Sequence, residues 1–174
     1  MKKVTGYLGS QFGFSETGRH VIDTLIKPGI ERIGIQINDP FVECGKELDI
    51  NHVLSLRDYD ECVKYWAEFS RKVTPINNRL MGESDCLLPI LDGGHAVDDG
   101  VASEIGYYAA IGRGPIFALR SDFRRGENIA VSINPQLLGY ILLSDGYLAE
   151  GQNAIDKWFS AIKRWHDSFI GNRQ

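Results

Sequence analysis

Cysteine is scarce. Cys44, Cys62 and Cys86 are the only three, with no Cys-x-x-Cys pair and no Cys/His ligand spacing. An odd, scattered set excludes a disulfide framework and a zinc site, and reads as reduced thiols in a cytoplasmic protein. Long hydrophobic runs are also missing. The longest, Cys86-Leu87-Leu88-Pro89-Ile90-Leu91 and Tyr140-Ile141-Leu142-Leu143, fall far short of the ~18 residues of a membrane helix. Met1-Lys2-Lys3-Val4 leads straight into a strand-like run, so no apolar export signal is visible. Nor is there an excess of positive charge: 19 Lys+Arg against 23 Asp+Glu leave a formal charge of −4. That balance argues against a protein that wraps nucleic acid or an anionic membrane. Repeats and low-complexity tracts are absent as well.

What remains is ordinary globular material. A chain of 174 residues, 43% hydrophobic and 24% charged, fits a single domain over residues 1–174. Val4-Thr5-Gly6-Tyr7-Leu8 reads as a first strand, followed by the loop Gly9-Ser10-Gln11-Phe12-Gly13-Phe14. Ser15 caps a helix whose apolar positions Val21, Ile22, Leu25 and Ile26 recur at helical spacing, and Pro28-Gly29 ends it. Arg32 to Ile37 alternates like a strand and Asp39-Pro40 stops it; a polar segment of open structure runs on to about Leu54. Cys62, Tyr65, Trp66, Phe69 and Val73 form a helical stripe, and Thr74-Pro75 opens a second helical stretch.

Asp85 to Leu91 is a short apolar run typical of a strand buried on both faces. A helix from about Asp99 to Ile111, a strand Ile116 to Leu119, a short strand or loop between Ile129 and Ile133, a helix after Pro135 and a last helix from Asn153 to Phe169 complete the reading. Strands alternating with helices predict an α/β fold. Its form is a flavodoxin- or Rossmann-like parallel sheet of about five strands with helices on both faces. Ligands of such sheets bind beyond the carboxyl ends of the strands. Three loops fall there: Gly9 to Phe14, Asp92 to Asp98, and the region after Leu119.

The second of these loops carries the chemistry. Asp92, Asp98, Asp99 and Glu104 place four carboxylates within thirteen residues. One of Asp98 and Asp99 is explained as a helix cap. Glu104 is not, because it borders the packed side of the helix, where a carboxylate needs a partner or a task. Near a helix N-terminus it is expected to be held ionised, fit to act as a nucleophile or electrostatic stabiliser.

Other residues admit two readings. Tyr7 is core packing or, from its place at the strand's carboxyl end, a partner of the site. Phe12 and Phe14 are a hydrophobic lid or a stacking platform for a base. His95 reads as an incidental loop histidine, and Arg120, Arg124 and Arg125 as a solvated run. The absence of metal-ligand spacing and of a phosphate-binding glycine loop predicts no metal and no cofactor.

The segment Asp98-x-Gly100-x-x-x-Glu104-x-Gly106, followed by Gly112 and Gly114-Pro115, resembles the nucleoside 2-deoxyribosyltransferase family. Tyr7-Leu8-Gly9-Ser10 with Phe12-Gly13-Phe14-Ser15, Asn77 ahead of the buried strand, and Ile133-Asn134-Pro135 extend the resemblance from Val4 to about Gly146. It implies transfer of 2-deoxyribose between the bases of nucleosides. Glu104 would attack the anomeric carbon and carry the sugar as an ester. Tyr7 would orient that carboxylate, Asp98 and Asn77 would hold sugar and base, and Asp92 would lie beside the base as an acid. Gly9, Gly100, Phe12 and Phe14 would line the substrate, and Asn134 would reach the 5′-hydroxyl from a neighbouring subunit of a homo-oligomer.

The partners implied are nucleosides and free nucleobases, with no nucleic acid and no membrane. Two alternatives stand beside this reading. One is an N-glycosidase of nucleoside 5′-monophosphates, kept open by Ser10, Ser15 and Arg19; the other is a non-catalytic nucleotide-binding protein of the same fold.

Overall fold

Val4–Tyr7 forms the first strand, β1. On one side it pairs in parallel with β2 (Ile35–Asn38), Val4 facing Ile35 and Tyr7 facing Asn38. On the other it pairs in parallel with β3 (Cys86–Leu87), Tyr7 facing Leu87. Two further strands, β4 (Phe117–Arg120) and β5 (Tyr147–Glu150), pair in parallel with each other. Single bridges from Leu87 to Ile116 and from Ile90 to Leu119 join them to the first three. The spatial order is therefore β2-β1-β3-β4-β5. It reverses direction between β1 and β3, which is where such sheets open a crevice for ligands. The strand β3 is short because Pro89 lends no N–H to a ladder. Its neighbours still bond: Leu88 N–H donates to the Tyr7 carbonyl, Ile90 N–H to Gly9 and Leu91 N–H to Leu119, each at 2.8 Å. These observations come from a computed structural model, which describes residues 3–47, 49–94, 96–124 and 130–172.

Helices cover both faces of the sheet. Glu16–Val21 (α1), a π-turn at Ile22–Ile26 and Lys27–Ile33 (α2) form one continuous rod. Pro40–Gly45 (α3), Ile50–Ser55 (α4) and Tyr59–Glu83 (α5) precede β3. Asp99–Ile111 (α6), Pro135–Leu143 (α7) and Ala154–Gly171 (α8) follow. Alternation along the strands divides the core in two. Leu8, Leu88, Phe117 and Leu119 pack with Ile22, Ile26 and Ile30 and with Trp158 and Ile162 of α8. Tyr7, Leu87, Ile116 and Ala118 pack on the opposite face with Leu80 and Met81 of α5, Val101, Ile105 and Tyr108 of α6, and Ile141 of α7.

Some boundaries differ from the sequence reading. The first helix runs through Pro28-Gly29 and ends at Gly34, which takes the left-handed cap conformation. The π-turn breaks the hydrogen-bond register just before Pro28, so proline sits in a first turn, where its missing N–H is tolerated. The strand consequently starts at Ile35 rather than Arg32. The open segment to Leu54 holds α3, capped by Asp39, and α4, capped by Asp49. The two helical stretches around Thr74-Pro75 are one helix, α5, with Pro75 inside it.

The fifth strand is not in the stretch from Ile129 to Ile133. Ala130 to Ile133 is irregular, and Ile129 lies outside the described residues. The fifth strand is β5, an edge strand in which Ala149 alone is buried, so it carries no apolar alternation. Among the described residues, no helix is long and apolar enough to cross a membrane.

Candidate active site

At the carboxyl end of β1, Tyr7 is fully buried. Its Oη donates to Oε1 of Glu104 at 2.5 Å. The glutamate projects from the second turn of α6, whose first turn is capped by Asp98 Oδ1 accepting from Val101 N–H at 3.1 Å. A second donor reaches the same oxygen from α5: Asn77 Nδ2 to Glu104 Oε1, 3.3 Å. The other oxygen, Oε2, lies over the backbone of Gly9, where a Cβ would stand only 2.5 Å away. Glycine at position 9 is therefore what gives the carboxylate its place. A Cβ at Gly100 would likewise stand 3.0 Å from Asp98 Oδ1.

The electrostatics of Glu104 differ from the expectation of a plainly ionised group. Its pKa is pushed up to about 7. Burial is the main cause; the Tyr7 hydrogen bond pulls the other way, and the nearby Asp98 charge adds to the rise. Desolvation outweighs the help of the Tyr7 hydrogen bond, and at neutral pH the group is poised between its two forms. Tyr7 is held far above its ordinary value by burial and by the adjacent Glu104 charge, so it remains a phenol and a donor.

Asp92 is placed differently. Its carboxylate accepts from Ser121 N–H at 3.0 Å and Ser121 Oγ at 2.5 Å, both on Oδ2, and from Asp122 N–H at 2.9 Å on Oδ1. Its carbonyl accepts from Gln11 Nε2 at 3.0 Å. The next residue, Gly93, has φ +118°, and a Cβ there would stand 2.5 Å from Gln11 Nε2, so glycine is required on both counts. Asp92 thus links all three loops that the sequence placed at this end of the sheet. Four hydrogen bonds thus make Asp92 a clamp between these loops.

The remaining candidates are dispersed. Phe12 packs on the core face of Ile22 and Trp158. Phe14 is 80% exposed, its ring edge-on to Phe41 at 4.8 Å. Asn134 caps α7, its Oδ1 accepting from Gln136 N–H at 2.9 Å. His95 and Arg125 lie outside the described residues. Arg120 is not solvated: it is 1% exposed and donates to the carbonyls of Leu91 and Arg124.

The sequence reading missed Cys44, whose Sγ lies 3.7 Å from Asn77 Oδ1. It also missed the ion cluster in which Arg19 and Lys27 meet Asp39 at 2.8 and 2.6 Å. Helical spacing of Asp23 with Arg19 and Lys27 signalled half of that cluster; nothing local signalled Cys44. Among the described residues, no group of three His, Cys, Asp or Glu side chains could hold a metal ion.

A doubly wound α/β sheet with a desolvated glutamate, a tyrosine donor and an amide donor at its switch point has the form of an enzyme site. Residues 7–152 match the family model described as nucleoside 2-deoxyribosyltransferase. The chain belongs to that family, and with it to enzymes acting on the N-glycosidic bond of nucleosides. No curated protein matches the chain.

Among solved structures, it is similar to a CMP N-glycosidase, BcmB, from Clostridium botulinum, at 16% identity and a TM-score of 0.51, covering 88% of this chain and 94% of that one. It is also similar to a 2-deoxyribosyltransferase from Bacillus psychrosaccharolyticus, at 17% identity and a TM-score of 0.53, covering 89% and 90%. At such identity these likenesses speak for the fold.

Proposed function

We propose that the protein transfers 2-deoxyribose from one nucleobase to another through an ester on Glu104. The observation that carries this reading is the asymmetric dressing of the carboxylate: Oε1 accepts from Tyr7 and Asn77, while Oε2 faces the space kept by Gly9. In the first step Oε2 bonds the anomeric carbon as the carbon–nitrogen bond breaks. The base leaves with the bonding pair and takes a proton from solvent, which the incoming base gives back in the second step. In the second step a different base attacks the same carbon and releases the carboxylate. Tyr7 and Asn77 keep Oε1 fixed in both steps, which preorganises the nucleophile rather than binding the ground state more tightly. Asp98 stands beside Glu104 to hold the sugar, Asp92 steadies the loops, and Phe14 with Phe41 offers an aromatic edge to a base.

The charge near Glu104 favours an uncharged nucleoside over a monophosphate. Asp98 adds a second negative charge, and Arg19 is already paired with Asp23 and Asp39. The hydroxyls of Ser10 and Ser15 accept from Phe12 and Gly18 N–H as helix caps. Self-association, with Asn134 of a second copy completing the site, is supported by the exposed apolar residues Tyr107, Ile111, Leu142 and Leu143 on α6 and α7. The three free cysteines suit a reducing, cytoplasmic setting.

The test incubates the protein with a deoxynucleoside and a different free base. Exchanged nucleoside, and a sugar adduct by intact mass that disappears in Glu104→Ala, are expected. Release of free sugar alone at high acceptor concentration would instead identify a hydrolase. Elution at the size of a monomer would remove the second copy.

A further inference from the structure

An asparagine amide has a donating end and an accepting end of nearly equal size, and only one of them suits a carboxylate. Asn77 presents Nδ2 to Glu104 Oε1 at 3.3 Å. Turned over, it would place Oδ1 against the same oxygen and repel it. On the far side of the amide, Cys44 Sγ lies 3.7 Å from Oδ1, placed to donate its S–H. Cys44 is buried on the short helix α3. The Asp39 cap of that helix accepts from Phe41 N–H at 2.9 Å and is ion-paired to Arg19 and Lys27. The thiol is thus fixed by one element, the amide by α5, and the carboxylate by α6.

We propose that Cys44 is a positioning residue for the transfer reaction: by donating to Asn77 Oδ1, it locks the amide with Nδ2–H facing the nucleophilic carboxylate. The proposal rests on the reading of Glu104 as nucleophile. Burial and the surrounding charges of Glu104, Glu43, Asp39 and Glu47 push the thiol up, so it keeps the proton it must donate. Of these, Asp39 is offset by Arg19 and Lys27. Around Glu104 itself stand Tyr7 from β1, Asn77 from α5, Asp98 from α6 and Cys44 from α3. Removing the thiol donor leaves the amide free to turn, withdraws a donor from the charged form of Glu104, and raises the pH at which the nucleophile becomes ionised.

The experiment measures the pH dependence of kcat/KM for base exchange in the full chain. The variants are Cys44→Val, which keeps apolar volume without a donor, Cys44→Ala, Cys44→Ser, Asn77→Ala, and Cys44→Val combined with Asn77→Ala. Cys44→Val and Cys44→Ala should lower kcat/KM roughly fivefold near neutral pH, the worth of one hydrogen bond. The fall should lie in kcat rather than KM, with the rise in rate moved to higher pH. Cys44→Ser should recover part of both. In the Asn77→Ala background, Cys44→Val should cost nothing more.

An unmoved pH profile in Cys44→Val and Cys44→Ala, or an equal loss in the Asn77→Ala background, overturns the proposal. If a valine at position 44 prevents folding, the alanine and serine variants carry the same comparison. Glu104→Ala separates the two levels. Exchange that survives in it removes the nucleophile reading. Exchange lost there, with unaltered Cys44 profiles, removes only the role of Cys44.

Discussion

Replacing Glu104 with glutamine should abolish transfer and, at alkaline pH, make the protein more stable. The folded chain holds the Glu104 proton up to about pH 7, whereas an ordinary glutamate loses it near 4.5. Between those values the native state binds more protons than the unfolded one, so stability falls as pH rises through this window. Below 4.5 both states are protonated and the group contributes nothing. Glutamine, neutral throughout, retains an acceptor for Tyr7 Oη and Asn77 Nδ2 and escapes the cost of ionising a buried acid. The displacement from 4.5 to about 7 corresponds to at most about 3 kcal/mol at pH 8 and less than about 1 kcal/mol at pH 5. Urea unfolding of both proteins at the two pH values measures the difference directly. Stability differences that are equal at pH 5 and pH 8, or a glutamine variant less stable at pH 8, would refute the claim that an ionisable carboxyl is held out of water here.

Three further outcomes follow from the same geometry. Gly9→Ala introduces a Cβ 2.5 Å from Glu104 Oε2. It should reduce kcat by about a hundredfold, the cost of a displaced reacting group, with little change in the urea midpoint. Tyr7→Phe removes the donor that lowers the Glu104 pKa. The rise of kcat/KM with pH should then move above that of the parent, and an unshifted profile would contradict this. Asp92→Ala leaves Ser121 N–H, Ser121 Oγ and Asp122 N–H without their anion. Thermal unfolding should show a loss of roughly 2–4 kcal/mol.

The sheet and its site were legible where local sequence pattern coincides with long-range need. Val4 to Leu8 and Asp85 to Leu91 are apolar because both faces are covered, and Glu104 stood out as an acid on a packed helix face. Boundaries failed where tertiary packing overrides punctuation. Pro28 looks like a stop, yet the rod continues because the π-turn places that proline in a first turn; Pro75 looks like the start of a new helix, yet it lies inside α5. The strand β5 went unread because an edge strand with one buried residue has no period to detect. Glu104 was expected ionised from its helix terminus, whereas the extent of its burial depends on packing against other elements that no local pattern encodes. Cys44 was invisible for the same reason: its meaning lies in Asn77, on a different helix.

Because Gln11, Ser121 and Asp122 all converge on Asp92, the loops after β1, β3 and β4 share one fastening point. None of the three can swing aside without dragging on its companions. Under the proposed exchange, this common fastening keeps the three loops in one arrangement while one base leaves and another arrives. A damaged fastening would let water into the crevice, and an exchange enzyme would be turned, by leakage alone, into one that squanders its sugar.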